Sequence, residues 1–378
     1  EGNRALKSKL IDEVQKNTGM HRKSILRLMN KKSKPQFKRG KGKSINSYSD
    51  EAKKLLIDLW VAMGRLGAVR MKAAIPLWIG SWKHKGLDND YVKFELKSMS
   101  ASTIERALKA EKAKHKRLLN TGTKPSASKS KVAIPIRDLE NQPTEVGHCE
   151  IDCVAHCGGN LSGNHAWTLT LTDIVSGTTA NRAMESKNGL EVENALYDME
   201  KQLPFKIKCL YMDNGSEFIN GNLVNRFSKR INGINRTELI DLFRSRPYKK
   251  NDQCFVEQKN HTHVRELFGY DRIEGRLQVQ LMNAIYRNEW FKLTNFFQPQ
   301  IRLKTKERHG SKIKKTYYTP QTAFEALKAY LPIDDLSKLE ERIGNKDPFS
   351  LMKSLKTKLR NFQSYRFKKG ERMGKYDI

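Results

Sequence analysis

Long apolar runs are absent from this 378-residue chain. No stretch reaches the roughly 18 apolar residues that a membrane-spanning helix needs. The nearest candidate, "AAIPLWIGSW", is too short and is flanked by Lys72 and Lys83. No signal-peptide pattern opens the chain, which begins with Glu1 rather than Met, so we expect that natural residues precede it. These absences predict a cytoplasmic protein without a membrane span.

Cysteine is also scarce, with five residues in the chain and none in the first 134. Three of them, Cys149, Cys153 and Cys157, lie close together in "HCEIDCVAHC". Their spacing is not the paired CxxC pattern of a zinc site, and the segment has the pattern of a strand, so zinc is the weaker interpretation. We therefore expect reduced thiols, as in other cytosolic proteins.

Acidic residues are few at both ends of the chain. Residues 1–134 contain 32 Lys/Arg and 11 Asp/Glu, and residues 291–378 contain 21 and 9. Residues 144–290 are nearly neutral, with 18 and 19. The formal net charge of +31 is therefore carried by two basic arms. Basic arms attract polyanions, so we expect DNA as a partner, although a solubilising surface charge is the plainer alternative.

Residues 1–34 are predicted to form a helix-turn-helix DNA-binding module. Apolar residues recur at helical spacing on both sides of the breaker "NTG", which ends at Gly19. The second helix carries three cations that we expect to contact DNA: Arg22, Lys23 and Arg27. An ordinary helical hairpin would have the same pattern.

A second helical DNA-binding domain is predicted over residues 47–117. Its last helix, "SASTIERALKAEKAKHKR", offers a capping box from Ser102 to Glu105. We interpret it as a second DNA-reading helix, with Arg106 and Lys109 as DNA contacts. A solvated basic helix face is the alternative.

The remaining sequence divides into a linker and three further segments. Residues 118–143 form a linker rich in Ser, Thr, Pro and Lys. Residues 144–290 alternate strands and helices in the order expected of an α/β ribonuclease H-like catalytic domain with a mixed sheet. Residues 291–321 are short, basic and β-leaning, which predicts a small C-terminal β-barrel, and residues 322–378 read as a helical basic tail. The fold class is thus multidomain, with all-α modules before the α/β centre.

Three acids in the centre have the pattern of a catalytic set. Asp152 lies within a strand, Asp213 ends the strand "CLYM", and Glu257 lies on a helix. Two-metal phosphoryl transfer needs carboxylates from separate elements, because Mg²⁺ prefers hard oxygen ligands. Each acid alone has a plainer interpretation, as a buried ion pair, a turn residue or a helix-surface acid. Glu150 shares the strand face of Asp152 and is its main rival.

The sequence around these acids resembles the DDE transposases and retroviral-type integrases. The carrying motifs are "EIDCVAHCGGN" at the first acid, "MDNGSEF" at the second and "SRPYKKNDQCFVEQKN" at the third. "IPIR" in the linker and "GSKIKK…YYTPQTAFEAL" after the centre frame them. The whole set is similar to bacterial insertion-sequence transposases with an integrase catalytic core, most strongly over residues 145–270.

This resemblance implies the roles of the acids. Asp152 and Asp213 would share two Mg²⁺ ions, for which Mn²⁺ can substitute, and Glu257 would bind one of them. Further DNA contacts would come from Lys249, Lys250, Asn260 and His261. The partners would be transposon ends and target DNA, with a homo-oligomer assembled on DNA, a possible helper ATPase and a location at the bacterial nucleoid.

The chain departs from retroviral integrases at its start. Those proteins begin with a zinc-binding His/Cys domain, whereas helical modules without cysteine take that place here. No Walker pattern occurs, so we expect no ATP hydrolysis by this chain.

We expect a DNA transposase that frees 3′-OH ends by phosphodiester hydrolysis and joins them to target DNA by Mg²⁺-dependent transesterification. A ribonuclease H-like nuclease or resolvase without strand transfer is one alternative. A catalytically inert DNA-binding regulator is another.

Overall fold

The computed structural model describes most of the chain in two compact units, Glu1–Ser47 and Tyr48–Ile378. The described residues are 2–29, 48–82, 89–114, 143–212, 240–246, 253–309, 312–344 and 347–365. Three sets of predictions fall outside these ranges: a helix that the sequence "NGNLVNRFSKRING" predicts over 220–233, most of the linker 118–143, and the site residues Asp213, Lys249 and Lys250.

The described part of the first unit forms two helices, α1 (Gly2–Thr18) and α2 (Arg22–Met29). Gly19, at φ +66°, turns the chain between them. Ile11 and Ile25 are buried between the helices. Arg22 donates a 2.6 Å hydrogen bond to Ser8 and forms an ion pair with Asp12, so this predicted DNA contact also holds the helix pair together.

The second unit begins with five helices. Their bounds are α3 (Asp50–Ala62), α4 (Ala68–Ile79), α5 (Asp90–Ser98), α6 (Ala101–Ala107) and α7 (Lys109–Lys114). The helix α4 runs through Pro76 without ending there. The predicted capping box at Ser102 is wrong, because Ser100 is the N-cap and its hydroxyl accepts from the Thr103 N–H at 3.1 Å.

The centre is a five-stranded mixed sheet in the order β3-β2-β1-β4-β5. The strands are β1 (His148–Ala155), β2 (Trp167–Asp173), β3 (Thr179–Met184), β4 (Cys209–Met212) and β5 (Asp241–Arg244). Neighbours β1, β2 and β3 are antiparallel, whereas β4 runs parallel to β1 and to β5. Three consecutive antiparallel strands, followed by a helix and a further strand, form the mixed sheet that the sequence predicts.

The two faces of the sheet differ because apolar and polar residues alternate along the strands. On one face Leu169 and Leu171 of β2 join the core cluster that includes Val192 and Leu196. Those two residues belong to α8 (Gly189–Gln202), the helix between β3 and β4. The opposite face carries buried threonines on β2, namely Thr168, Thr170 and Thr172. We call it the threonine face.

Two long helices cover the threonine face and the β3 edge. The first, α9, starts as Cys254–Lys259, continues with π-helical hydrogen bonds over Asn260–Arg265 and ends at Glu266–Phe268. The second, α10, starts as Arg276–Ile285 and continues through two π-helical segments, Tyr286–Trp290 and Leu293–Phe297. The helix α9 packs on β1 and β2, and α10 packs on β3.

Two asparagines of α10 form hydrogen bonds with backbone groups of the edge strand β3. Asn283 accepts from the Ala183 N–H at 2.8 Å and donates to the Ala183 carbonyl at 2.9 Å. Asn295 makes the same pair of bonds with Thr179, both at 2.9 Å. These side chains occupy backbone groups that an edge strand otherwise offers to another chain.

The C-terminal segment corrects one prediction. Residues 303–317 form a two-stranded antiparallel hairpin, β6 (Leu303–His309) and β7 (Lys312–Tyr317), and no sheet of the described residues closes into a barrel. The reason is chemical, since both faces of the hairpin carry charged or polar residues that could not line a barrel interior.

Three helices follow the hairpin: α11 (Ala323–Leu327), α12 (Ile333–Ile343) and α13 (Pro348–Ser364). Among the described residues no helix has the length and apolar character needed to cross a bilayer.

Candidate active site

The candidate site lies on the threonine face, where β1 contributes two acids. Glu150 is paired in register with Thr172 of β2, and Asp152 with Thr170. The register continues to β3, where Thr170 is opposite Asn181. Alternation along β1 therefore directs both acids toward the helix that packs on this face.

Asp152 is half-buried, and both of its carboxylate oxygens accept hydrogen bonds. Its Oδ2 accepts from the Asn260 side-chain amide at 2.6 Å, and its Oδ1 accepts from the Cys153 N–H at 2.8 Å. Asn260 lies on α9, so this contact joins the central strand directly to the helix that carries Glu257.

Glu150 is fully buried and has a different task from Asp152. Its Oε2 accepts hydrogen bonds from the backbone N–H groups of Phe255 and Val256, both at 3.0 Å. These groups belong to the first turn of α9, where the N–H groups have no partner within the helix. Glu150 therefore anchors the start of α9, whereas Asp152 contacts the same helix one turn further along, at Asn260.

Glu257 lies in the first turn of α9 and is exposed. It precedes Asn260 by three residues, a spacing that puts both side chains on one side of a helix. The strand and helix predicted from the sequence to carry Asp152 and Glu257 are thus in contact, through Glu150 and through Asn260.

Asp213 lies outside the described residues, and its predicted role stays a prediction. Its covalent neighbour Met212 ends β4 and is paired in register with Ile151 of β1. Ile151 is the residue before Asp152. The two described neighbours of these acids are therefore adjacent across the parallel pair.

The side chains of Asp152, Glu257 and Asn260 have the chemistry that bears on Mg²⁺ binding. Among the described residues no group of three His, Cys, Asp or Glu side chains is arranged to hold a metal ion. The two described acids supply hard carboxylate oxygens, which suit Mg²⁺. The Asn260 Oδ1 is buried without a hydrogen-bond partner beside Asp152. An unsatisfied acceptor at this position fits a hydrated Mg²⁺ ion, whose water can donate to it.

The helix α9 also carries cations toward its buried side. Burial, together with the positive charges of Arg70 and Arg302, lowers the pKa of Lys259 to about 7. Burial likewise holds the pKa of His263 well below its ordinary value. Lys259 is absent from the site residues chosen from the sequence. Lys259 lies between Val256 and His263 at helical spacing, and both of those residues are buried. This spacing could have indicated from the sequence that Lys259 lies on the buried side of the helix.

The remaining predicted DNA contacts are distributed over several elements. Lys23 and Arg27 are exposed on α2, Arg106 is exposed on α6 and Lys109 on α7. His261 is exposed on α9, with its Nε2 3.9 Å from a carboxylate oxygen of Glu266. Their contact with DNA stays a prediction.

The buried acid Asp173 has a structural role. Its carboxylate accepts from the N–H groups of Gly147 and Ser176 at 2.9 and 2.6 Å. Those contacts fix the turn after β2. All five cysteines are within the described residues, and none forms a disulfide.

Comparison with known proteins gives one relative of substantial identity. No protein-family model matches the chain. Uncharacterized protein y4rM of Sinorhizobium fredii (strain NBRC 101917 / NGR234) is 32% identical over 326 residues, which are 84% of this chain and 88% of that protein.

Solved structures similar to the chain include two viral integrase cores. The HTLV-2 integrase catalytic core domain in complex with magnesium is 13% identical, covers 42% of this chain and 93% of that chain, and gives a TM-score of 0.29. The catalytic core domain of BIV integrase is 14% identical, covers 48% of this chain and 95% of that chain, and gives a TM-score of 0.30.

Proposed function

This chain belongs to the same protein family as uncharacterized protein y4rM, and we propose that it is a DNA transposase. In this proposal it hydrolyses a phosphodiester at each end of a DNA element and joins the freed 3′-OH to target DNA. The observation that carries the proposal is the contact between the strand of Asp152 and the helix of Glu257, made by Asn260.

Phosphoryl transfer is supported by Asp152 on β1, which contacts the helix that carries Glu257. Asp152, Asp213 and Glu257 are the residues that would hold Mg²⁺. When bound, Mg²⁺ activates the attacking oxygen and neutralises charge that develops on the leaving oxygen. Mn²⁺ has similar preferences for oxygen ligands and is expected to substitute.

The chain's own residues position this chemistry. Asn260 fixes the orientation of the Asp152 carboxylate, and Glu150 fixes the start of the helix from which Glu257 projects. The basic arms supply charge for binding DNA phosphates, which would retain the ends near the site. Cutting two ends together calls for a homo-oligomer on DNA, and a helper ATPase is a possible further partner.

The test is cleavage of duplex DNA taken from the flanks of the chain's own coding sequence. We expect Asp152→Asn to abolish Mg²⁺-dependent cleavage, because an amide cannot replace a charged ligand, and to leave DNA binding at the wild-type level. The matched control is Asp241→Asn, which alters an exposed acid at the opposite end of the parallel strands.

Cleavage that survives in Asp152→Asn would reject the assignment of the site. A second assay separates the enzyme alternatives, because a pre-cut end should be joined to plasmid DNA by a transposase and not by a nuclease or resolvase. Loss of cleavage in both variants would point to a general effect of the substitutions rather than to the site.

A further inference from the structure

The β6–β7 hairpin is an exposed ribbon of the second unit. None of its side chains whose burial is described is buried, and the two strands form a sheet of their own. A two-stranded hairpin with no apolar face in contact with a core is marginally stable in water. Its side chains are therefore better explained by what they meet outside the chain than by packing within it.

The strand register separates the charges of the ribbon onto two faces. Lys306 is directly opposite Lys315, and the next pair on the same face is Arg308 with Ile313. We call this the Lys306–Lys315 face. The other face has Glu307 opposite Lys314, which is a pair of opposite charges. The two faces thus differ in charge although they belong to the same short hairpin.

The lysine pair is unfavourable in the isolated chain. Like charges directly opposite each other destabilise a strand pair. Within the described residues the side chains of Lys306 and Lys315 are exposed and form no ion pair. An anion lying against this face would turn the repulsion into attraction, and a row of phosphates would do so along the whole face.

The dimensions and the apolar side chains of the ribbon fit duplex DNA. The major groove of B-DNA is wide enough to admit a two-stranded β-ribbon. Ile313 is 51% exposed on the Lys306–Lys315 face, where it could contact a thymine methyl group. At the base of the hairpin the Lys304 Nζ lies 5.7 Å from the centre of the Tyr318 ring, and Tyr317 is exposed as well.

We propose that the β6–β7 hairpin binds duplex DNA by inserting its Lys306–Lys315 face into the major groove. The surface is separate from the candidate active site, and its function does not require phosphoryl transfer at Asp152. It takes the place of the barrel that the sequence suggested for this segment.

The experiment measures the affinity of the full-length protein for a labelled duplex over a series of salt concentrations. Lys306→Gln and Lys315→Gln should each weaken binding several-fold and reduce the slope of log K against log salt by about one. The double variant should lose about two units of slope. Lys314→Gln is the matched control, since it removes the same charge from the same hairpin on the opposite face, and it should keep the wild-type slope.

Two further measurements separate groove binding from general charge effects. A major-groove competitor such as methyl green should weaken wild-type binding more than binding by the double variant, whereas the minor-groove ligand netropsin should affect both alike. The melting temperature of the unbound protein should not fall in Lys306→Gln, because the substitution removes a repulsion.

Equal weakening by Lys314→Gln and Lys306→Gln would overturn the proposal, as would wild-type binding by the double variant. Tighter binding of anionic lipid vesicles than of duplex DNA through the same lysines would overturn it too. Cleavage by Asp152→Asn tests the active site, whereas the salt dependence of binding by the Lys306 and Lys315 variants tests the hairpin, so a failure of the active-site proposal and a failure of this one give different results.

Discussion

At the scale of single residues, Lys259 has an unusual environment on the helix that carries Glu257. Burial and the neighbouring charges of Arg70 and Arg302 bring its pKa to about 7, whereas a lysine in an unfolded chain titrates near 10.4. Between these two pH values the unfolded state holds more protons than the folded state. The folded state is therefore stabilised as pH rises from about 7 toward 10, by at most about 1.4 kcal/mol per pH unit.

Lys259→Met should remove this pH dependence. At pH 7 and below we expect the variant to melt at a higher temperature than the wild type, because it has no charge to bury. The difference should shrink as pH approaches 10. Thermal melts across this range measure it, with the exposed Lys97→Met as control. A difference that stays constant with pH would contradict the assigned pKa.

Also at this scale, the sequence alone cannot decide between Glu150 and Asp152 as the first acid of the site. Both residues alternate onto the same face of β1, so strand periodicity ranks them equally. What separates them is the partner that each meets on α9, a pair of backbone N–H groups for Glu150 and the Asn260 amide for Asp152. Contacts between residues about 110 positions apart have no local signature in the sequence.

At the scale of elements, α9 is joined to β1 at both of its first two turns. Glu150 holds the first turn and Asp152 holds the second through Asn260. The helix also changes from α to π hydrogen bonding at Asn260, and such segments are frequent at functional sites. The direction of Glu257 thus depends on the strand beneath it.

Glu150→Ala should release the first turn of α9. Two buried N–H groups would lose their acceptor, which we expect to lower the free energy of unfolding by about 1–3 kcal/mol. Because Glu257 lies in that turn, the Mg²⁺ concentration needed for half-maximal cleavage should rise, and Glu150→Gln, which keeps an acceptor oxygen, should restore part of it.

Denaturant unfolding and Mg²⁺ titration of cleavage measure these two effects. Glu145→Ala is the control, since it removes an exposed carboxylate whose ion pair with Lys208 contributes little. An unchanged Mg²⁺ response in a folded Glu150→Ala protein would show that the anchor does not position Glu257.

The strands of the sheet and of the hairpin can be predicted from local sequence patterns, whereas their contacts with distant residues cannot. Alternation in "WTLTLTD" predicts a strand with one polar and one apolar face, and the structure has both. The basic stretch after residue 291 also predicts strands, but their number depends on whether an apolar interior exists for a barrel to enclose. The asparagines that bond to β3 lie 100 and 116 residues from their partners, and no short sequence pattern predicts these contacts.

At the scale of the whole molecule, the sequence predicts the architecture of the centre better than its details. The three antiparallel strands, the following helix and the parallel β4 are confirmed in their order. The acids Asp152 and Glu257 lie on elements that contact each other, and Asp213 is attached to a strand end whose register partner precedes Asp152. The charge distribution likewise predicts DNA as a partner. The proposal for the β6–β7 hairpin assigns part of that binding to one surface.

The central claim is that Asp152, Asp213 and Glu257 form one metal site, and anomalous diffraction from a crystal soaked in Mn²⁺ tests it most directly. The account predicts an anomalous peak within bonding distance of carboxylate oxygens from these three residues, and its loss in Asp152→Asn. A peak elsewhere with none at Asp152 would contradict the account.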